Sequence, residues 1–325
     1  MRRYRVGRYL LVSLCVLGIA VAPGAPATHA AAGAITEYSV PTELSQPRGI
    51  VAGSDGALWF TEASGDKIGR LSTGGALTEF GLTSGSQPYS IASGKDGALW
   101  FTEYGGNNIG RITTAGSLTE YAIPTAYSNP FSIAAGSDGA LWFTELAGNK
   151  IGRITTKGAF TEYPLSTANA YPYSIVAGPD GALWFTESGA NKIGRITTKG
   201  ALIEFPVPSS VLPLGMATDR QGNLWFTEGG RNSIARITTT GTVSEFALAS
   251  PNSQPYGIVL GSDGNLWFTE AMGNQIGRIS PGGAISEFSI TSSTVSRPLR
   301  IAAGSDGNVW FTEVSGNKVG RISTQ

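Results

Sequence analysis

Asp96-Gly97-Ala98-Leu99-Trp100-Phe101-Thr102-Glu103 contains a tetrapeptide that recurs along the whole chain. Trp-Phe-Thr-Glu begins at Trp59, Trp100, Trp142, Trp184, Trp225, Trp267 and Trp310, with spacings of 41, 42, 42, 41, 42 and 43 residues. These are all 7 tryptophans of the 325-residue chain, so each has the same structural task. Outward from the tetrapeptide, each copy reads as four short strands. Gln87-Pro88-Tyr89-Ser90-Ile91 comes first, and the Asp96-Gly97 pair then suits a tight hairpin turn. After the Trp strand, a Gly/Asn turn leads to Ile109-Gly110-Arg111-Ile112, and Leu118-Thr119-Glu120-Tyr121 closes the unit. Four strands repeating at about 42 residues predict the blade of a β-propeller.

The ends of the chain predict how the ring closes. The fourth strand type occurs at Ile35 before the first Trp-Phe-Thr-Glu, then at Leu77, Leu118, Phe160, Leu202, Val243 and Ile285. None follows Arg321-Ile322, so the N-terminal strand is expected to complete the last blade. That leaves no open sheet edge between first and last blade. The fold class is thus all-β, a single seven-bladed propeller domain over residues 33–325.

Composition agrees and excludes other classes. With 41% hydrophobic residues, 45 glycines and zero formal charge, the chain is neither disordered nor basic enough for a nucleic-acid surface. Arg2, Arg3, Arg5 and Arg8 precede an apolar run from Tyr9 to Ala22, which reads as a secretory signal peptide over residues 1–32. Cleavage after Ala30 or Ala32 fits the small residues there. The run is shorter than the roughly 20 residues of a membrane span. Four arginines leave with the leader, so 23 cations become 19 against 23 anions, a net charge of about −4. Cys15 and His29 leave as well, removing thiol and imidazole chemistry. The mature protein is expected outside the cytoplasm, extracellular or periplasmic, as a monomer.

A residue present in every blade builds blades, whereas a site occurs once. Glu62 and its six equivalents are therefore read as cross-strand ion pairs with Arg70 and its equivalents, the alternative being a carboxylate ring that holds a cation. Trp and Phe are assigned to packing between blades. Function is sought where the repeat breaks. The residue after the proline of each first strand varies, as Arg48, Tyr89, Phe131, Tyr173, Leu214, Tyr256 and Leu299. Its four aromatics are candidates for a cup that holds a peptide, a macrocycle or a glycan. Arg48, Arg297 and Arg300 fall at the ring closure and are candidates for a carboxylate or phosphate site, with solvated surface arginines as the alternative. The fifth blade also deviates, through Asp219 and Arg220 in its first turn.

The repeated DG-x-LWFTE, NxIGRIT and LTEY strings, from about Ala34 to Gln325, closely resemble the streptogramin B lyase (virginiamycin B lyase) family. That resemblance implies a seven-bladed propeller and a magnesium-dependent carbon–oxygen lyase that linearises cyclic depsipeptide antibiotics by elimination. It also implies histidines directly after the proline in the last two blades, within a Pro-His-[Ala/Gly]-Ile pattern, one of them the general base. Tyr256 and Leu299 stand at those positions here, Arg297 replaces an acidic residue, and Glu313 roughly matches a second acidic residue near the metal. Two readings stay open. One is a secreted binding or scaffold propeller with no certain cofactor. The other is an enzyme, either a divergent Mg²⁺-dependent lyase or a propeller hydrolase of the gluconolactonase type.

Overall fold

The computed structural model describes residues 32–208, 211–291 and 295–325. The leader assigned from the sequence lies almost wholly outside them. Among the described residues there are 28 strands and no helix long and apolar enough to cross a membrane.

The strands form seven four-stranded antiparallel sheets. In the first blade these are Pro47–Ala52, Leu58–Glu62, Lys67–Leu71 and Leu77–Gly81, each hydrogen-bonded to the next. The last blade combines Pro298–Ala303, Val309–Glu313 and Lys318–Ile322 with the N-terminal strand Ile35–Ser39, as the strand count predicted. First strands of successive blades touch one another around the axis, including those of blades seven and one. The proline that opens each of them marks one mouth of the ring.

Each Trp-Phe-Thr-Glu strand is buried along its whole length because blades cover both of its faces. Side chains alternate across a strand, so Trp59 and Phe60 face different neighbours. Trp59 packs on Ile91, Leu99 and Phe101 of the second blade, while Phe60 packs on Trp310 and Val319 of the seventh. The interfaces between blades thus set a Trp from one blade against Phe and Leu of the next, with Val309 in place of the leucine between blades six and seven. A stacked aromatic of the outer strand extends it, as in Trp184–Phe205 with centroids 5.4 Å apart.

The Asp-Gly turns close as expected, with Gly97 at φ 77°, which favours glycine. Their aspartate does more than turn the chain. Asp180 accepts from Trp184 Nε1 at 3.0 Å and from Arg195 Nε at 2.6 Å. In the fifth blade Asp219 comes from a shifted position and still accepts from Trp225 Nε1 at 2.7 Å. Arg220 there donates to the Ser262 carbonyl of the next blade, as Lys95 in the second blade does to the Ser137 carbonyl. The deviation therefore rebuilds the turn.

These contacts correct the expected Glu–Arg pairs. Arg70 lies opposite Trp59 in register, whereas Glu62 lies opposite Lys67. Residues three apart on a strand face opposite sides of the sheet, so Glu62 and Arg70 cannot meet. Arg70 pairs with Asp55 at 2.7 Å and lies over Trp59, and Lys67 pairs with Glu79 at 2.8 Å. Glu62 and its six equivalents are 0% exposed.

Candidate functional site

The mouth residues owe their placement to the repeated threonine. Each first strand carries a bulge after its proline, between Pro47 and Ile50 in the first blade, which takes backbone groups out of the ladder. In all seven blades the threonine hydroxyl accepts from the N–H of the second residue after the proline, at 2.8–3.2 Å. The same hydroxyl donates to the carbonyl of the mouth residue in the next blade, at 2.7–3.2 Å. Sequence reasoning gave this threonine no role, although its presence in every copy was the available signal. Thr144→Val is expected to leave the Ser132 N–H and the Tyr173 carbonyl without partners and to cost about 2–4 kcal/mol, measured by chemical denaturation.

Four mouth aromatics converge. Phe131 lies 4.6 Å from Tyr89 and 4.2 Å from Tyr173 between centroids, and Tyr256 meets Tyr173 edge-on at 5.9 Å. The Tyr173 and Tyr256 hydroxyls hydrogen-bond to each other. Tyr104, from a second strand's end, adds a contact to Tyr89 at 5.3 Å. The rings meet near the axis, so they make a floor rather than a hollow cup. Phe131, Leu214 and Leu299 are buried at 3%, 5% and 3% exposure, while Tyr89, Tyr173 and Tyr256 remain half-buried. Burial pushes the Tyr173 phenol well above its usual range and raises that of Tyr89, so both stay neutral donors.

The three arginines of the closure divide. Arg48 lies over the Tyr89 ring at 4.2 Å and donates to Gln46 Oε1 at 3.2 Å. Arg48 and the exposed Arg297 share a surface cleft with Gln46 and Asn317. Arg297 adopts φ 53°, a left-handed conformation shared by the residue before the proline in every blade. Arg300 instead lines the central channel, with its guanidinium 5.6–5.8 Å from the rings of Phe131, Tyr173 and Tyr256.

The positions that the resemblance assigns to histidines hold a leucine and a tyrosine. Leu299 packs against Ala271 and Val314, with Tyr256 beside them. Tyr256 is hydrogen-bonded to a neutral phenol. The donor set does not fit a divalent metal. Glu313 is 0% exposed, Arg297 brings a positive charge where the resemblance expects an acid, and no three Asp, Glu, His or Cys side chains cluster among the described residues.

The sequence model of the virginiamycin B lyase family matches residues 27–210 and 132–325. A solved streptogramin B lyase is similar at 39% identity and a TM-score of 0.85, over 89% of this chain and 97% of that one. Virginiamycin B lyase from Staphylococcus aureus is similar at 38% identity and a TM-score of 0.85, over 89% of this chain and 99% of the enzyme. The same values hold for a catalytically inactive histidine-to-alanine variant of that enzyme solved with quinupristin.

Proposed function

The chain belongs to the virginiamycin B lyase family, and from that premise we propose that it is a secreted binding propeller without the family's elimination chemistry. The observation that carries this reading is the pair Tyr256 and Leu299 at the base positions, one hydrogen-bonded to a neutral phenol and the other sealed in an apolar contact. Abstracting a carbon-bound proton needs a base within hydrogen-bond reach and with a pKa near the working pH. Fold by itself transfers no activity. The arginine-headed apolar leader supports secretion. The ligand we favour is a macrocyclic peptide, with linear peptides and glycans as the alternatives, lying across the rings of Tyr89 and Tyr256 at the mouth. A relative solved with quinupristin supports that choice. The lyase reading draws on the 38–39% identity to enzymes matched over nearly their whole length.

Incubation with quinupristin and Mg²⁺, followed by chromatography and tandem mass spectrometry, separates the readings. Elimination gives a linear isomer of unchanged mass, hydrolysis adds one water, and a binding module returns the intact ring. We expect the intact ring, with affinity at least about tenfold weaker after Tyr89→Ala plus Tyr256→Ala, since buried aromatic anchors carry most interface energy. A linear isomer would overturn the binding reading. An intact ring with no measurable association would remove the macrocycle.

A further inference from the structure

The second residue after each opening proline lines the central channel, and around the ring it reads Gly49, Ser90, Ser132, Ser174, Gly215, Gly257 and then Arg300. Six blades thus keep a small residue at this position, and the seventh sends in a guanidinium. The resemblance expects Ala or Gly there too, so the arginine is a departure of this chain. The channel encloses about 170 Å³. Its remaining lining is isoleucine, valine, methionine, glycine and serine, with no carboxylate among the described residues.

Arg300 is therefore a cation facing the channel without a counter-charge in the lining. Three aromatic rings within 6 Å stabilise it through their faces, but a ring gives the N–H groups little as an acceptor. Arg300 Nη2 is shielded from solvent and has no hydrogen-bond partner among the described residues. A guanidinium presents its donors in a planar fork that matches two oxygens of one anion. The hydroxyls of Ser90, Ser132 and Ser174, from blades two to four, line the same space and have protons to donate. A cation, an unused donor and three hydroxyls around a space of this size suit a small oxyanion.

We infer that the channel is a binding site for a small oxyanion, a carboxylate or phosphate, held on the Arg300 guanidinium. This site lies inside the ring and adjoins the mouth, since the same guanidinium packs against the Phe131, Tyr173 and Tyr256 rings. The test follows thermal unfolding by near-ultraviolet circular dichroism in rising acetate or phosphate, with ionic strength held constant by a bulky sulfonate buffer. Acetamide serves as the neutral isostere of acetate. A ligand that binds only the folded state raises its unfolding midpoint. The expected result is a saturable rise of about 2–4 °C with acetate, phosphate or both, and none with acetamide. Response to acetate alone assigns the site to carboxylates, and response to phosphate alone assigns it to inorganic oxyanions. Arg300→Ser, which installs the residue of blades two to four, should abolish the rise. Arg300→Lys keeps the charge without the fork and should weaken it, which preserves the test if the serine variant does not fold. A rise that fails to saturate, that acetamide reproduces, or that persists in both variants would overturn the inference.

Discussion

Trp184→Ala lowers the stability of the domain by about 3–5 kcal/mol, the usual cost of truncating a large buried aromatic. Trp184 is 0% exposed and packs against Met216, Leu224 and Phe226 of the following blade. Its ring stacks on Phe205 at 5.4 Å, and Arg195 lies over it at 6.0 Å. Truncation removes one wall of an interface that recurs around the ring, and it strips Asp180 of the indole N–H it accepts. Neighbouring rings held from both sides are poorly placed to collapse into the space, which keeps the cavity term large. Equilibrium unfolding in guanidinium should show the loss as a lower midpoint at nearly unchanged slope. A cost below about 1 kcal/mol would mean that the interfaces between blades do not depend on their tryptophans.

The legibility of this fold comes from repetition. One copy of Trp-Phe-Thr-Glu is ambiguous between strand and buried helix, but seven copies at a spacing of 41 to 43 residues, each followed by similar turns, admit few architectures. Ring closure was legible because the fourth strand type precedes the first Trp and is missing after the last. Pairings were less legible. Whether Glu62 meets Arg70 depends on register, and one residue of register exchanges the faces of a strand. Trp59 and Glu62 are separated by an odd step, so the arginine that shares the Trp face finds Asp55 in the turn. The threonine's presence in every copy marked it, but its role was not legible, for another reason. It satisfies backbone groups released by a bulge, and a bulge leaves no signature in residue types.

At the candidate site, the sequence singled out positions and left their directions open. Arg48, Arg297 and Arg300 are close in the closed ring, yet alternation along the strand and the left-handed turn at Arg297 aim them differently. Arg300 enters the channel, while Arg297 stays at the surface. The aromatics after the prolines were expected to surround a space, and instead they fill much of it with one another. Family membership and site chemistry thus carry separate information. The scaffold is retained over the whole ring, while the two positions that the resemblance assigns to histidines hold Tyr256 and Leu299.

The stability of the propeller is expected to fall as pH rises from 5 to 8, opposite to a protein held by ionised surface pairs. The cause is Glu62, Glu103, Glu145, Glu187, Glu228, Glu270 and Glu313, each 0% exposed at the end of a Trp strand. Burial pushes each carboxyl up from 4.5 to about 7. A neighbouring carboxylate adds to this, as Glu79 does beside Glu62 and Glu162 beside Glu145. The lysine opposite Glu62 relieves it only in part, because Lys67 reaches Glu79 instead. The folded chain therefore holds protons that the unfolded chain releases above about pH 4.5. Their contribution is complete below that value, is lost as pH rises through about 7, and is constant beyond. Asp55, Asp96, Asp138 and Asp180 act the other way, since their hydrogen bonds and arginine partners hold them below 3.8 despite partial burial. Their contribution is present above that value and lost on further acidification. The two sets place maximum stability at about pH 4, between the ordinary values of the two carboxyl types. One pKa unit is worth about 1.4 kcal/mol per group, so even a fraction of the displacement, repeated seven times, amounts to several kcal/mol. The unfolding midpoint should drop by roughly 10 °C between pH 5 and 8. Glu145→Gln, which mimics the protonated acid, should flatten that slope and raise the midpoint at pH 8. A midpoint that stays level or climbs over this range would show that these carboxylates are ionised in the folded state.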